Sequence, residues 1–235
     1  WGWHVKSVHA GPTIEPLMYI TNPWRLELLF LISGVATRFM ADRQSGWALA
    51  GSRFQRLFWP LAFGVFVIVP PQTFFELVEK AGFAGDYGAP VITPTYNHLW
   101  FVAYLLVYSL IIAAVWPLLR RLPWRWLAGL TSGPAFLILP WAGLVAMRIV
   151  LAPAFPVTHA MVDDWYTHAA SFAAFALGFA IAKQDGPFAT AQRWRWLALG
   201  VAVCAYAVRL TWIDSLDGRA PDAAGCFARA APPVT

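Results

Sequence analysis

Long apolar stretches separated by short polar segments dominate the sequence. A helix that crosses a lipid bilayer needs about 20 mostly apolar residues. Six stretches reach or nearly reach this length, at residues 23–40, 57–77, 98–119, 134–152, 165–182 and 194–213. They are too long and too uniformly apolar for alternating β-strands. The pattern therefore predicts an all-α fold, a polytopic transmembrane helix bundle with about six spanning helices in this chain.

Pro70 and Pro71 interrupt the second of these stretches. Proline lacks the amide hydrogen that a helix uses, and its ring clashes with the carbonyl of the preceding turn. We therefore expect the second helix to end or kink at these prolines. Residues 72–80 would then form a separate helix at the membrane surface.

The polar connections between the stretches alternate in charge. Lys and Arg concentrate in the cytoplasmic loops of membrane proteins. The connections after the first, third and fifth stretches are basic, with Arg38, Arg43, Arg53 and Arg56, then Arg120, Arg121 and Arg125, then Lys183, Arg193 and Arg195. The others are acidic, with Glu76, Glu79 and Asp86 beside a single Lys80, and Asp163 and Asp164. The alternation predicts that the basic loops lie in the cytosol and that residues 1–22 and 214–235 lie outside.

The composition agrees with a membrane setting. Only 12% of the residues are charged and 59% are hydrophobic, whereas a soluble domain carries roughly 25% charged residues. The formal net charge of +5 therefore indicates membrane topology rather than nucleic-acid binding. The chain starts at Trp1 and shows no signal peptide. We expect both ends to be cuts through a longer protein, with at least one further spanning helix upstream.

Ionisable side chains within spanning helices are candidates for function, because each costs at least ~2.5–3.5 kcal/mol at the membrane centre. Glu27, Leu31, Gly34 and Arg38 recur at helical spacing and fall on one face of the first helix. Ser33 and Gly34 allow close approach of another helix or a ligand. Two interpretations stay open: the face lines a polar channel, or Glu27 pairs with a basic neighbour while Arg38 extends to the interface.

Three further arginines extend the set of candidates. Arg53 and Arg56 lie three residues apart at the expected cytoplasmic entrance of the second helix. Neighbouring guanidinium groups there could clamp phosphates, or they are ordinary cytoplasmic charge. Arg148 lies near the outer end of the fourth stretch. It could pair with Glu27, line an outer cavity or simply reach the interface.

His98 opens the third stretch and is followed by Trp100 and Tyr104. Imidazole is a common general base near neutral pH, although a histidine at this place is more often a hydrogen-bonded interface residue. The other four histidines lack metal-ligand spacing, and the two cysteines, Cys204 and Cys226, stand alone. The sequence therefore predicts no metal site.

Three passages together resemble a known family. They are residues 28–34 (LLFLISG) followed by Arg38, residues 53–56 (RFQR) leading into an apolar helix with Pro60, and residues 97–106 (NHLWFVAYLL). Their order and spacing resemble the acyltransferase 3 family of membrane O-acyltransferases, and within it the glucan biosynthesis protein C (succinyltransferase-like) group. The likeness covers residues 22–120, so that 23–120 is the best-matching acyltransferase core. Residues 121–213 fit as further spanning helices of the same membrane domain.

The resemblance implies a bundle of about ten helices that moves an acyl group from cytoplasmic acyl-coenzyme A. The acceptor would be a hydroxyl of a glycan or another envelope molecule, at a bacterial inner membrane. Members of the family usually carry a basic residue and a catalytic His eleven positions apart on the first spanning helix. We expect that helix, and with it the main catalytic base, to lie upstream of Trp1. Acyl-coenzyme A would be a donor substrate, and no bound cofactor is implied.

The resemblance also assigns roles to residues of this chain. Arg53 and Arg56 would hold the coenzyme A phosphates, and Glu27 would orient the base or the acceptor. Glu27 and His98 are thus the catalytic candidates, and the substrate-binding candidates are Arg53, Arg56, Arg38, Ser33, Trp100, Tyr104 and Arg148. The oligomeric state stays open. The main alternative function is a transporter or flippase for a polar or lipid-linked solute, and a further one is a non-catalytic membrane sensor or assembly subunit.

Overall fold

The structure is a computed structural model, and it describes residues 15–82, 95–122 and 135–217, with the isolated positions 88, 91 and 133. This part of the chain is helical and contains no strand, which confirms the all-α class. The helices are α1 (Glu15–Ala41), α2 (Gly46–Phe63), α3 (Val69–Ala81), α4 (Trp100–Leu119), α5 (Ala135–Leu151), α6 (Trp165–Ile181) and α7 (Asp185–Asp217). A π-helical turn, Gly64–Ile68, joins α2 to α3, and a 3₁₀ turn, Asn97–Leu99, precedes α4.

Two of the described helices are long and apolar enough to cross a membrane. They are Gly46–Lys80, with 35 residues, and Asn97–Leu119, with 23. A third candidate arises if α6 and the part of α7 up to Arg209 form one span, although the two are bent by 110°. Helix α1 is long, but Arg25, Glu27 and Arg38 lie along it. Six spanning helices are therefore not confirmed, and that number stays a prediction.

Three helices start earlier than the apolar pattern predicts, and the first of them, α1, begins at Glu15 rather than at residue 23. Helix α2 begins at Gly46, where the Ser45 hydroxyl accepts a hydrogen bond from the Ala48 amide at 3.3 Å and caps the first turn. Arg53 and Arg56 therefore lie well inside a helix and not at its entrance. Helix α7 begins at Asp185, so the basic segment before residue 194 is helical rather than a loop.

Pro70 and Pro71 do not end the helix, and the prediction of a separate helix over residues 72–80 is wrong. Helix α2 continues through the π turn into α3 without a break. In the π turn the amide of Val69 donates to the carbonyl of Gly64, five residues back. A π turn widens the helix locally. It lies directly before the two prolines, which cannot donate the α-helical hydrogen bond.

Helices α1, α4 and α6 run parallel to one another. Phe30 in the middle of α1 contacts Trp100 at the start of α4, and Arg38 near the end of α1 contacts Trp116 of α4 and Phe179 of α6. Helix α2 runs antiparallel to α4, because Gly46 lies against Ala113 and Gly64 against Leu99. The main apolar core fills the space between them, with Phe30, Leu49, Tyr104, Ile112, Trp116 and Phe175 among its members.

The closest helix crossing joins α1 to α6. A Cβ added at Gly34 would overlap the carbonyl of Phe175, and one added at Gly178 would overlap the carbonyl of Leu31. Small residues allow such backbone contact between membrane helices. The sequence predicts a close approach at Gly34, and in the structure helix α6 makes this approach.

The parallel helices give the bundle two different ends. We call the basic end the one formed by the last turns of α1, α4 and α6 and the start of α2, with Arg38, Asp42, Arg43, Arg120, Arg121 and Lys183. We call the aromatic end the one formed by the starts of α4 and α6 and the α5–α6 connection, beside the middle of α1, with Trp100, Tyr104, His159, Asp164 and His168.

Candidate functional site

A buried arginine lies inside the half of the bundle that adjoins the basic end. Arg53 is only 7% exposed. Its Nη2 donates to the Thr37 hydroxyl at 2.5 Å and to the Ser33 carbonyl at 3.3 Å. The Thr37 hydroxyl in turn donates to the same Ser33 carbonyl at 2.6 Å. We call these three residues the Arg53 network, and it fixes one side of the guanidinium against α1.

The Nε of the Arg53 guanidinium is enclosed by protein and is not satisfied by the described residues, none of which offers it a hydrogen-bond acceptor. A buried arginine donor without an acceptor is costly, because its lost hydration is not replaced. The chemistry that would satisfy it is an oxygen acceptor, such as a carbonyl or a phosphate.

Arg56 does not share the environment of Arg53. It lies one turn further along α2 and is exposed. The sequence predicts that both guanidinium groups lie on the same surface of the helix. In the structure, Arg53 points into the bundle and Arg56 points outwards. The two residues still lie within one helical turn of each other.

Arg38 also turns inwards at the basic end. Its guanidinium lies 5.1 Å from the Trp116 ring centre and 5.3 Å from that of Phe179. Asp42 lies 3.5 Å from its Nε and also pairs with Lys183. Arg38 is therefore held between two rings and a carboxylate, rather than simply extending to the interface.

The face of Glu27, Gly34 and Arg38 is not an open channel along its length. Helix α6 covers Gly34, and Phe179 covers Arg38. Glu27 itself borders a cleft between α1, α5 and α6. Within the described part of the chain no cation lies at ion-pair distance from Glu27, so the expected pairing with a basic neighbour is not observed.

At the aromatic end, His168 lies at the centre of a ring cluster. Its ring stacks on Tyr104 at 3.9 Å, and its Nδ1 lies 2.9 Å from the Tyr108 hydroxyl. Its Nε2 lies 3.0 Å from the Met161 carbonyl, which can only accept, so Nε2 carries a hydrogen. In the neutral ring, Nδ1 then accepts from Tyr108, which makes both ring nitrogens part of the internal network.

Asp164 fixes the connection that covers this cluster. It is fully buried, and its carboxylate accepts from the amides of Thr158, His159 and Thr167 at 2.7–3.1 Å. The Thr167 bond caps α6. His159 adopts a φ of 58°, and its ring stacks on Trp100 at 4.3 Å. Trp100 and Tyr104 thus pack against histidines, and the Tyr104 hydroxyl donates to the Ala160 carbonyl at 2.8 Å.

The two remaining candidates lie at the surface of the described structure. His98 is exposed in the 3₁₀ turn before α4. Arg148 is exposed on α5, with its guanidinium over the Tyr166 ring at 5.4 Å and its Nη1 3.4 Å from the Tyr166 hydroxyl. The structure does not bring His98 into contact with Glu27, and it places Arg148 on Tyr166 rather than on Glu27.

Several residues of these networks were not anticipated from the sequence. Nothing in the sequence indicated a role for Thr37, because a threonine beside a run of apolar residues is common. His168, Tyr108 and Asp164 are far apart along the chain and meet only through packing. Gly178 did have a signal: it belongs to a row of small residues spaced four apart on α6, together with Ala170, Ala174 and Ala182.

Long apolar helices that pack around a buried arginine define the general class, an integral membrane protein. A protein-family model described as an acyltransferase domain, Acyl_transf_3, matches residues 2–231. The chain therefore belongs to the acyltransferase 3 family, and the match extends well beyond the residues 22–120 that carried the resemblance. No curated protein and no solved structure matches the chain significantly. Membership of the narrower glucan biosynthesis protein C group is thus not confirmed.

Proposed function

We propose that this membrane acyltransferase moves an acyl group from acyl-coenzyme A to a hydroxyl of a glycan or another envelope acceptor. The observation that carries the proposal is the buried Arg53, whose guanidinium is held by Thr37 and Ser33 and whose Nε has no acceptor among the described residues. A donor with phosphates and amide carbonyls supplies the oxygen atoms that such a site needs.

The donor would bind from the basic end of the bundle. Arg43, Arg120 and Lys183 give that end a positive potential, which attracts an anionic donor. Arg56 would contact the phosphates, and Arg53 would contact a carbonyl deeper in the bundle. In a bacterial inner membrane this end would face the cytosol, where coenzyme A is found, in keeping with the excess of positive charge in cytoplasmic loops.

The reaction needs one proton acceptor and one stabilised oxyanion. A base takes the proton of the acceptor hydroxyl, and the oxygen attacks the thioester carbonyl. The carbon–sulfur bond then breaks, and the coenzyme A thiolate leaves and takes up a proton. A guanidinium near the carbonyl stabilises the negative charge that develops on its oxygen. Glu27 and His98 remain candidates for the base or for orienting it.

The proposal is tested by following a labelled acyl group. Membranes that contain the protein are incubated with acyl-coenzyme A labelled in the acyl chain, and the label is measured in the glycan and lipid fractions. We expect a labelled acceptor in membranes with the protein and none in membranes without it. Movement of a solute across the membrane with no acyl transfer would instead support the transporter alternative.

The donor site is tested separately with Arg56→Gln. We expect the KM for acyl-coenzyme A to rise about tenfold, because a phosphate loses one charged partner. Arg43→Gln is the matched control, since it removes one positive charge at the same end from the α1–α2 turn. Equal effects of the two variants, or unchanged kinetics in both, would exclude a specific phosphate contact at Arg56.

A further inference from the structure

A cleft of about 440 Å³ lies on the flank of the bundle, between α1, α5 and α6. Small-molecule sites commonly enclose about 300–1,000 Å³, so the cleft is large enough for part of a ligand. Its wall is apolar, with Leu31 on α1, Leu144 and Met147 on α5 and Leu177 on α6. It is separate from the Arg53 network and from the ring cluster around His168.

The space exists because the helices carry short side chains where they face one another. Gly143 on α5 and Ala173 and Ala174 on α6 line the cleft. A Cβ added at Gly143 would meet no atom within 4 Å. A larger side chain at this position would therefore occupy the cleft without a clash against the backbone.

Among the described residues that line the cleft, Glu27 is the one with an ionisable side chain. It is half-buried, and no cation of the described chain lies at ion-pair distance. A carboxylate beside apolar walls in a membrane protein is costly unless a partner compensates it. The chemistry that would compensate it is a cation with hydrogen-bond donors, attached to an apolar chain that fills the rest of the cleft.

We propose that this cleft binds one hydrocarbon chain of a membrane amphiphile whose primary ammonium group pairs with Glu27. An ammonium offers three donors and a positive charge, whereas an anionic headgroup would be repelled. The amphiphile is either an aminophospholipid or a single-chain amine, since both carry the same group. The proposal concerns binding alone, so it does not depend on the acyl-transfer reaction.

The binding is tested with photoactivatable long-chain amphiphiles that differ only in the headgroup. An amine, an alcohol and a carboxylic acid, each with a diazirine in the chain, are added to membranes containing the protein. After irradiation, labelled peptides are identified by mass spectrometry. We expect the amine to label α5 and α6 at the cleft about tenfold more than the acid does. Equal labelling by the amine and the acid would overturn the proposal.

Two pairs of variants test the chain and the headgroup separately. Gly143→Leu fills the cleft and should reduce amine labelling at least about fivefold. Gly200→Leu, on α7 and likewise with no atom within 4 Å of an added Cβ, should leave it unchanged. Glu27→Gln should remove the preference for amine over alcohol, whereas the exposed Glu79→Gln should keep it. Full labelling in Gly143→Leu, or an intact preference in Glu27→Gln, would contradict the site.

Competing lipids identify the source of the ammonium group. If excess phosphatidylethanolamine suppresses amine labelling, the occupant is an aminophospholipid, and if labelling persists, it is a single-chain amine; both results support the site. Equal suppression by phosphatidylglycerol would overturn it. So would a covalent dimer formed through Gly143→Cys in a Cys204→Ser, Cys226→Ser background, since a second copy of the chain would then fill the cleft.

Discussion

The Arg53 network and the ring cluster around His168 both place polar groups inside a bundle of apolar helices, but they differ in how fully those groups are satisfied. Both ring nitrogens of His168 and both carboxylate oxygens of Asp164 have partners. Arg53 is fixed on one side only, and its Nε has no acceptor in the described structure. A satisfied buried network makes a region rigid, whereas an unsatisfied one invites a ligand.

We expect the ring cluster to act as a scaffold and the Arg53 network to serve the proposed donor site. The polar side chains near the aromatic end hold the first turns of α4 and α6 and the connection before α6 in place. Those near the basic end pack against α1, and the Nε of Arg53 has no acceptor among the described residues. If this is correct, substitutions in the ring cluster should lower stability, and substitutions in the Arg53 network should lower activity more than stability.

The largest effect is expected at the crossing that supports both regions. Gly34→Leu would drive its side chain into the carbonyl of Phe175 on α6. Overpacking costs typically 1–3 kcal/mol and sometimes more, and here backbone rather than a flexible side chain would have to move. We expect little folded protein, measured as the monodisperse fraction in size-exclusion chromatography in detergent. Gly143→Leu, which meets no atom within 4 Å, should remain monodisperse.

Asp164→Ala should have the next largest effect, on stability. It removes the acceptor of three backbone amides at a fully buried position. We expect a loss of roughly 3 kcal/mol, because each buried donor left unpaired costs about 1–3 kcal/mol. Thermal unfolding in detergent measures the change. Asp163→Ala is the control, since Asp163 is exposed, and a similar loss in both variants would contradict the scaffold role of Asp164.

Arg53→Gln should affect activity more than stability. Losing a guanidinium near a developing oxyanion should lower kcat about 10²-fold, as removal of a single oxyanion donor does in other enzymes. Labelled acyl transfer in membranes measures the rate. The unfolding temperature should fall by less than it does in Asp164→Ala. A variant that unfolds as readily as Asp164→Ala but transfers acyl groups normally would reverse the proposed contrast between the two regions.

Thr37→Val tests whether the network positions Arg53. The substitution keeps the side-chain shape but removes the hydroxyl that accepts from Arg53. We expect activity to fall about tenfold through misplacement of the guanidinium. Thr37→Ser keeps the hydroxyl and should recover most of the rate. Failure of the serine variant to recover activity would mean that the methyl group, and not the hydrogen bond, matters at this position.

Lys183→Gln should have the smallest effect. Lys183 pairs with Asp42 at the basic end, but about half of its side chain is exposed. Exposed ion pairs contribute about 0.2–1 kcal/mol, and Asp42 keeps its contact with Arg38. We expect a barely measurable shift in the unfolding temperature. A large shift in the unfolding temperature would show that the basic end also contributes strongly to stability. The two regions would then not differ in this respect.

Much of the fold could be predicted from the apolar stretches, since each of them falls within helix where the structure describes it. The starts of α2 and α7 could not be predicted. Arg53, Arg193 and Arg195 resemble the basic residues of a cytoplasmic loop, although they lie on helices. The continuity through Pro70 and Pro71 was also missed. A π turn depends on how the neighbouring helices hold the backbone, and proline patterns do not reveal it.

The candidate site was predicted in part. Arg53 and Ser33 were both identified as substrate-binding candidates, and the structure joins them. Glu27 was identified as unusual, and the structure places it beside a cleft with no described cation at ion-pair distance. Thr37 and His168 were missed, since their importance comes from partners on other helices.

The sequence by itself determined the membrane class, the helical fold and the family. These depend on properties that add up along the chain: runs of apolar residues long enough for a bilayer, basic residues that alternate between loops, and a pattern that matches a family over residues 2–231. The tertiary structure alone decided which polar groups are paired and which are left open. The direction of a side chain such as Arg53 depends on how α2 is rotated against α1 and α4. That rotation is set by contacts such as those of Gly34 with α6 and Gly46 with α4, between residues far apart in the chain.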